Sequence, residues 1–181
     1  MNWLAGYGLL AHGIIFGSLA CLLPLGEFRQ RVALAATTLA MLIGIAPALH
    51  GAFGTPSVTL LQLAVLLLLG RPSPLTFRPA LGLLVFATIF YATALGLGPF
   101  DPYSLGYQPW PLLAALAPVG IALWLRQLNV WLVILAIDLL AYASGVFANL
   151  WDVLLDPLLV LVALAVVGRQ GLIRLIAARR R

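Results

Sequence analysis

The stretch VWLVILAIDLLAYASGVFANLWDVLLDPLLVLVALAVVG, Val130–Gly168, decides the fold. Its two runs, Val130–Leu150 and Trp151–Val167, are apolar around nearly the whole helical circumference, the pattern of helices surrounded by lipid or protein instead of helices with a wet face. Three carboxylates nevertheless stand in this segment: Asp138 midway along the first run, and Asp152 and Asp156 at the start of the second. Charge in such a setting is costly, so each acid needs a reason.

The composition extends this reading to the whole chain. Of 181 residues, 64% are hydrophobic and 8% charged, and the mean hydropathy is +1.11. That is more apolar surface than a soluble core of this size can hide, and it predicts an all-α, polytopic transmembrane helix bundle. A transmembrane β-barrel would alternate apolar and polar residues over segments of about ten; Leu60–Leu69 and Val130–Ile137 do not alternate. Seven spans are expected within a single membrane domain covering residues 1–181: 3–24, 32–51, 56–70, 80–98, 112–125, 130–150 and 151–168, followed by a basic interfacial tail, 169–181. The third is short: at 1.5 Å per residue it covers about 22 Å of a core about 30 Å thick. Thr55 is expected to cap it, ahead of Pro56.

Basic residues give the orientation. All ten are Arg, a bias that fits a GC-rich bacterial genome, and successive Arg clusters are separated by two apolar runs each. Seven crossings therefore gather every Arg on one side, which by the positive-inside rule is the cytoplasm, and leave the N-terminus outside. The expected location is a bacterial cytoplasmic (inner) membrane. The first run lacks the basic flank of a cleaved signal peptide and is expected to be retained as a helix. The tail, with five Arg and Leu172, Ile173, Leu175 and Ile176 between them, suits a helix lying on an anionic leaflet.

Several chemistries are excluded by residue type. With no Lys there is no Schiff base. Two His cannot ligate two haems, and Cys21 alone forms no internal disulfide. Tyr142-Ala143-Ser144-Gly145 lacks the Gly expected two residues before an intramembrane serine nucleophile, and no His follows His50 to act as its base. There is no phosphate-binding loop and no Cys/His cluster, so no cofactor, resident metal or nucleic-acid partner is expected.

Polar residues within the spans are the remaining candidates. Asp138 lies nine residues beyond Asn129, or about 13 Å of helix, hence near mid-membrane. Tyr142, Gly145 and Asn149 follow it at spacings of four, three and four, so a continuous helix would carry one polar stripe. His12, at similar depth in the first run, is the titratable partner expected for Asp138. Beside it Gly13 and Gly17 form a small-residue face suited to close helix approach. Asp152 and Asp156, four apart, are expected on one face at a helix start, where the macrodipole favours carboxylates. The sharper alternative adds Asp101 and His50 to make a divalent-cation site. Tyr103, Tyr107, Trp110 and Trp151 fit an interfacial aromatic belt.

With so little chain outside the bilayer, the expected function is that of a small non-enzymatic subunit or scaffold whose partners are lipid and either another membrane protein or a second copy. The alternatives are a transporter or channel for protons or an apolar, lipid-like substrate using Asp138, and an outward-facing enzyme built on Asp152, Asp156, Asp101 and His50.

Overall fold

The computed structural model describes residues 3–179. Among the described residues the only regular structure is helical, with no strand. The helices are α1 (Trp3–Leu19), α2 (Arg29–Leu42), α3 (Ile45–Phe53), α4 (Val58–Leu68), α5 (Phe77–Ala92), α6 (Pro109–Leu125), α7 (Asn129–Ala143), α8 (Leu150–Leu154) and α9 (Pro157–Arg179). By length and composition three helical stretches can cross a membrane, Trp3–Leu22, Phe77–Leu97 and Leu150–Ala178; a fourth counts if the bent pair Gly26–Leu42 and Ile45–Phe53 is one span. Val58–Leu68, Pro109–Leu125 and Asn129–Ala143 are apolar but shorter.

Backbone chemistry explains the departures from seven uniform rods. The second run bends by 73° between α2 and α3, with Gly44 in the left-handed region at φ 84°, a conformation that carries a penalty for any residue with a Cβ. The third run starts later than expected: Ser57, not Thr55, is the cap, and its hydroxyl accepts from Leu60 N at 3.2 Å. That leaves α4 as 11 residues, about 16 Å of helix. It closes in a Schellman turn, with Arg71 N donating to Leu66 O at 2.9 Å and Gly70 at φ 69°. The last run is broken: Leu155 is extended, and α9 begins at Pro157. A residue before proline is pushed out of the helical region, and proline supplies no N–H to continue α8. From there α9 continues through most of the expected tail; Arg180 and Arg181 lie outside the described residues, so the surface helix expected there is only partly in view.

Packing centres on α1, which touches α2, α3 and α4, and on three further pairings, α5 with α9, α7 with α4 and α7 with α6. Small residues set the closest approach. A Cβ on Gly17 would fall on Thr37 Oγ1 and lie 2.7 Å from the Ala33 carbonyl, and a Cβ on Gly13 would lie 3.0 Å from Met41 Sδ. The small-residue face of α1 is therefore filled by α2 of the same chain. Gly17→Ala must push these helices apart, and we expect it to cost about 1–2 kcal/mol, read as a lowered melting temperature of the detergent-purified protein; an unchanged melting temperature would show that this contact is not tight.

Candidate functional site

Asp138 is 2% exposed on α7 and meets two side chains from α4. Thr59 Oγ1 donates to Oδ2 at 2.7 Å and Gln62 Nε2 to Oδ1 at 2.8 Å. Thr59 and Gln62 are three apart, which places both on one face of α4. Gln62 Nε2 also donates to the Ile134 carbonyl one turn back along α7, at 3.2 Å. Each carboxylate oxygen thus has a donor, and each keeps acceptor capacity, since a carboxylate offers about four lone-pair sites. Asp138 and Thr59 open onto a cavity of about 280 Å³ whose other walls include Leu83, Leu123, Trp131 and Leu135. It is an apolar chamber with one acid and one hydroxyl at its edge.

The expected pairing of Asp138 with His12 is not made. His12 is fully buried on α1, its Nδ1 bonded to the Gly8 carbonyl at 2.8 Å, and its ring stands edge-on to His50 with centroids 5.7 Å apart. His50 Nδ1 bonds the Gly54 carbonyl at 3.0 Å. A Cβ at Gly8 would come 2.5 Å from His50 Cε1, so the bare glycine is what lets the two imidazoles approach. The bend at Gly44 brings His50 back over α1, and that bend is not apparent from apolar periodicity alone.

The polar stripe expected beyond Asp138 ends early. Tyr142 stays on α7, but the helix stops at Ala143 and Gly145 adopts φ 75°. Asn149 is fully buried and caps α8: its Oδ1 accepts from Trp151 N at 2.9 Å, and its Nδ2 donates to the Tyr103 carbonyl at 3.2 Å. Trp151 Nε1 donates to the Pro102 carbonyl at 2.9 Å. The loop between α5 and α6 is thereby latched onto the α7–α8 connection.

Asp152 and Asp156 do not share a helix face, because the extended Leu155 ends α8 and α9 begins only at Pro157. Asp156 is 4% exposed and caps α9, its Oδ1 accepting from Leu159 N at 3.0 Å. Its Oδ2 accepts from Ser57 N at 2.7 Å, at the start of α4. Two helix N-termini face this one carboxylate, which satisfies its charge without a cation. Asp152 accepts from the Tyr103 hydroxyl at 2.8 Å. Burial, and then the bond to Asp152, raise the Tyr103 hydroxyl far above the ordinary tyrosine range, so it stays a proton donor at any working pH. Trp151 is 9% exposed and Tyr103 half-buried, so these two line the interior and are not part of an outer belt; Tyr107 and Trp110 are exposed.

Asp152 and Asp156 both line a second cavity of about 340 Å³, walled by Phe53, Phe90, Tyr91 and Phe147 among others. Asp101 is elsewhere: exposed, its carboxylate accepts from Tyr103 N at 2.9 Å and caps the short turn Pro102–Gly106. His50 is held in the pairing with His12. Among the described residues no three His, Cys, Asp or Glu side chains converge as metal ligands. The divalent-cation grouping of Asp101, Asp152, Asp156 and His50 is therefore not formed.

Of the partners Thr59, Gln62 and Ser57, the sequence signals only the first two, as Thr59-x-x-Gln62, a polar pair at helical spacing in an otherwise apolar run. Together these features define the class: an all-α chain of apolar helices, compatible with a membrane, holding buried acids at the edges of two cavities. Comparison of the chain with family models, with curated proteins and with solved structures finds no match.

Proposed function

We propose that the protein is a multi-pass membrane protein that binds and moves an apolar or lipid-like substrate, or protons, through the cavity at Asp138. The observation that carries this is a buried acid, held between α4 and α7 by neutral donors, at the edge of an apolar chamber. An intramembrane acid with no cationic partner is a functional feature by default. A subunit role would need the small-residue face of α1 and Asp138 of α7 for contacts with a partner, and both are turned toward helices of the same chain, which favours the transport reading.

In this proposal the seven apolar segments cross the membrane, with the N-terminus outside and the Arg clusters in the cytoplasm of a bacterial cell. Side-chain bonds support that parity. Arg29, after the first segment, donates to the Leu67 carbonyl at the end of the third, at 3.3 Å. Tyr7, at the start of the first segment, donates to the Pro56 carbonyl at the start of the third, at 3.2 Å. The loop after the fourth segment joins the start of the seventh through Tyr103–Asp152.

Proteoliposomes enclosing a pH-sensitive dye test the proton version. Wild type should dissipate an imposed proton gradient, and Asp138→Asn, which can still accept from Thr59 or Gln62, should lose most of that flux while eluting as a folded species. A photoactivatable long-chain alcohol tests the lipid-like version: it should label Leu123 or Leu135 in wild type and fail to do so in Leu135→Trp. Equal flux in both proteins, together with no labelling of the cavity, would overturn the reading.

A further inference from the structure

The cavity at Asp152 has a chemistry distinct from the one at Asp138, and the two share no lining residue. Its walls are aromatic: Phe90 stands 4.6 Å from Trp151 and 5.4 Å from Tyr91, ring centroid to ring centroid, with Phe53 and Phe147 also lining the space. Its acids are Asp152 and Asp156, and no Arg, Lys or His lies in the lining. Among the described residues no counter-cation lines this cavity.

The two acids are not equivalent. Asp156 has a backbone N–H on each oxygen, at 2.7 and 3.0 Å. Asp152 receives the Tyr103 hydroxyl on Oδ1 at 2.8 Å, and among the described residues no hydrogen bond is given to its Oδ2. Because the Tyr103 hydroxyl is a neutral donor, it orients Asp152 without supplying a countercharge. One carboxylate is left facing a chamber of aromatic side chains.

We infer that this cavity is a binding site for a small organic cation, a quaternary or fully alkylated ammonium group. Aromatic walls attract such cations through the ring quadrupole, most strongly where water is excluded, and a single carboxylate supplies the countercharge. A bare divalent metal ion does not suit it, since among the described residues no third ligand of the His, Cys, Asp or Glu type converges there and such ions need several hard or imidazole donors. The volume, about 340 Å³, lies at the small end of ligand cavities and suits a headgroup-sized molecule. The same chemistry is presented by free choline and by the headgroup of a choline lipid.

The test is isothermal titration of the full chain, in an uncharged detergent, with choline and with its neutral carbon isostere 3,3-dimethylbutan-1-ol. Choline should bind saturably and at least about tenfold more tightly than the isostere. Asp152→Asn keeps an acceptor for Tyr103 and should abolish that preference. Tyr91→Leu should weaken choline binding several-fold, and Tyr91→Phe should restore it, a pattern that loss of fold would not produce. Equal binding of choline and isostere, unchanged choline binding in Asp152→Asn, or no saturable choline binding by folded wild type would each overturn the proposal. In nanodiscs, weaker choline binding in phosphatidylcholine than in phosphatidylglycerol would assign the site to a lipid headgroup; equal binding in both would assign it to a free solute.

Discussion

Asp156→Ala is expected to be among the most damaging single substitutions in the chain, lowering stability by about 2–5 kcal/mol, because it leaves two buried backbone N–H groups without acceptors. Ser57 is fully buried and Leu159 is 1% exposed, so water cannot easily replace the lost carboxylate. The damage falls on two helix starts at once. Loss of the bond to Leu159 N uncaps α9, and loss of the bond to Ser57 N unpins the residue whose hydroxyl caps α4. A cap alone is worth about 1 kcal/mol; the remainder comes from the second buried amide and from the two helix dipoles that point at a vacated site. Asp156→Asn keeps one acceptor oxygen and turns its amide toward the other N–H, so it should lie between wild type and Asp156→Ala. Thermal melting in mild detergent should give the order wild type, Asn, Ala. If Asp156→Ala melts with wild type, the carboxylate does not join α4 to α9.

This junction shows what the sequence could and could not reveal. The Asp156-Pro157 dipeptide announces an extended residue followed by a helix start, a constraint local to two residues. That the other oxygen reaches Ser57, 99 positions away, depends on helix order, which apolar periodicity does not encode when the helices are apolar on every face. The same limit applied to His12. Depth along a span placed it level with Asp138, but the bend at Gly44 delivers His50 to it instead. Neither length nor continuity was legible: the run 56–70 yields an α4 of 11 residues, and Leu150–Ala178 passes as one apolar stretch by composition while the extended Leu155 interrupts it. Asp138 stands out in the sequence as an acid in an apolar run, but its partners, Thr59 and Gln62, appear there only as isolated polar residues in a short run.

The helical stripe from Asp138 through Asn149 failed for a local reason, and that reason yields the second large effect. Once Gly145 turns the chain, Asn149 is free to serve the loop latch instead of extending α7, and the latch closes directly against Gly106. A Cβ at Gly106 would fall on Asn149 Oδ1 and come 2.6 Å from its Cγ and 2.8 Å from Trp151 Cδ1. Gly106 is buried and ends the turn Pro102–Gly106, which is held from both sides, so neither backbone nor side chain can retreat without loss. Gly106→Ala should therefore displace Asn149, breaking its bonds to Trp151 N and the Tyr103 carbonyl. We expect about 2–4 kcal/mol, overpacking plus two lost buried hydrogen bonds. Asn149→Ala removes the same bonds and also the obstructing oxygen. In a double-mutant cycle, Gly106→Ala should then cost far less in the Asn149→Ala background than alone, a coupling that substitutions not in contact do not show. Additive costs would mean that Gly106 is small for some other reason. Because Trp151 and Tyr103 line the cavity at Asp152, the latch also sets its shape. Gly106→Ala should weaken choline binding even though Gly106 is not among the residues that line that cavity.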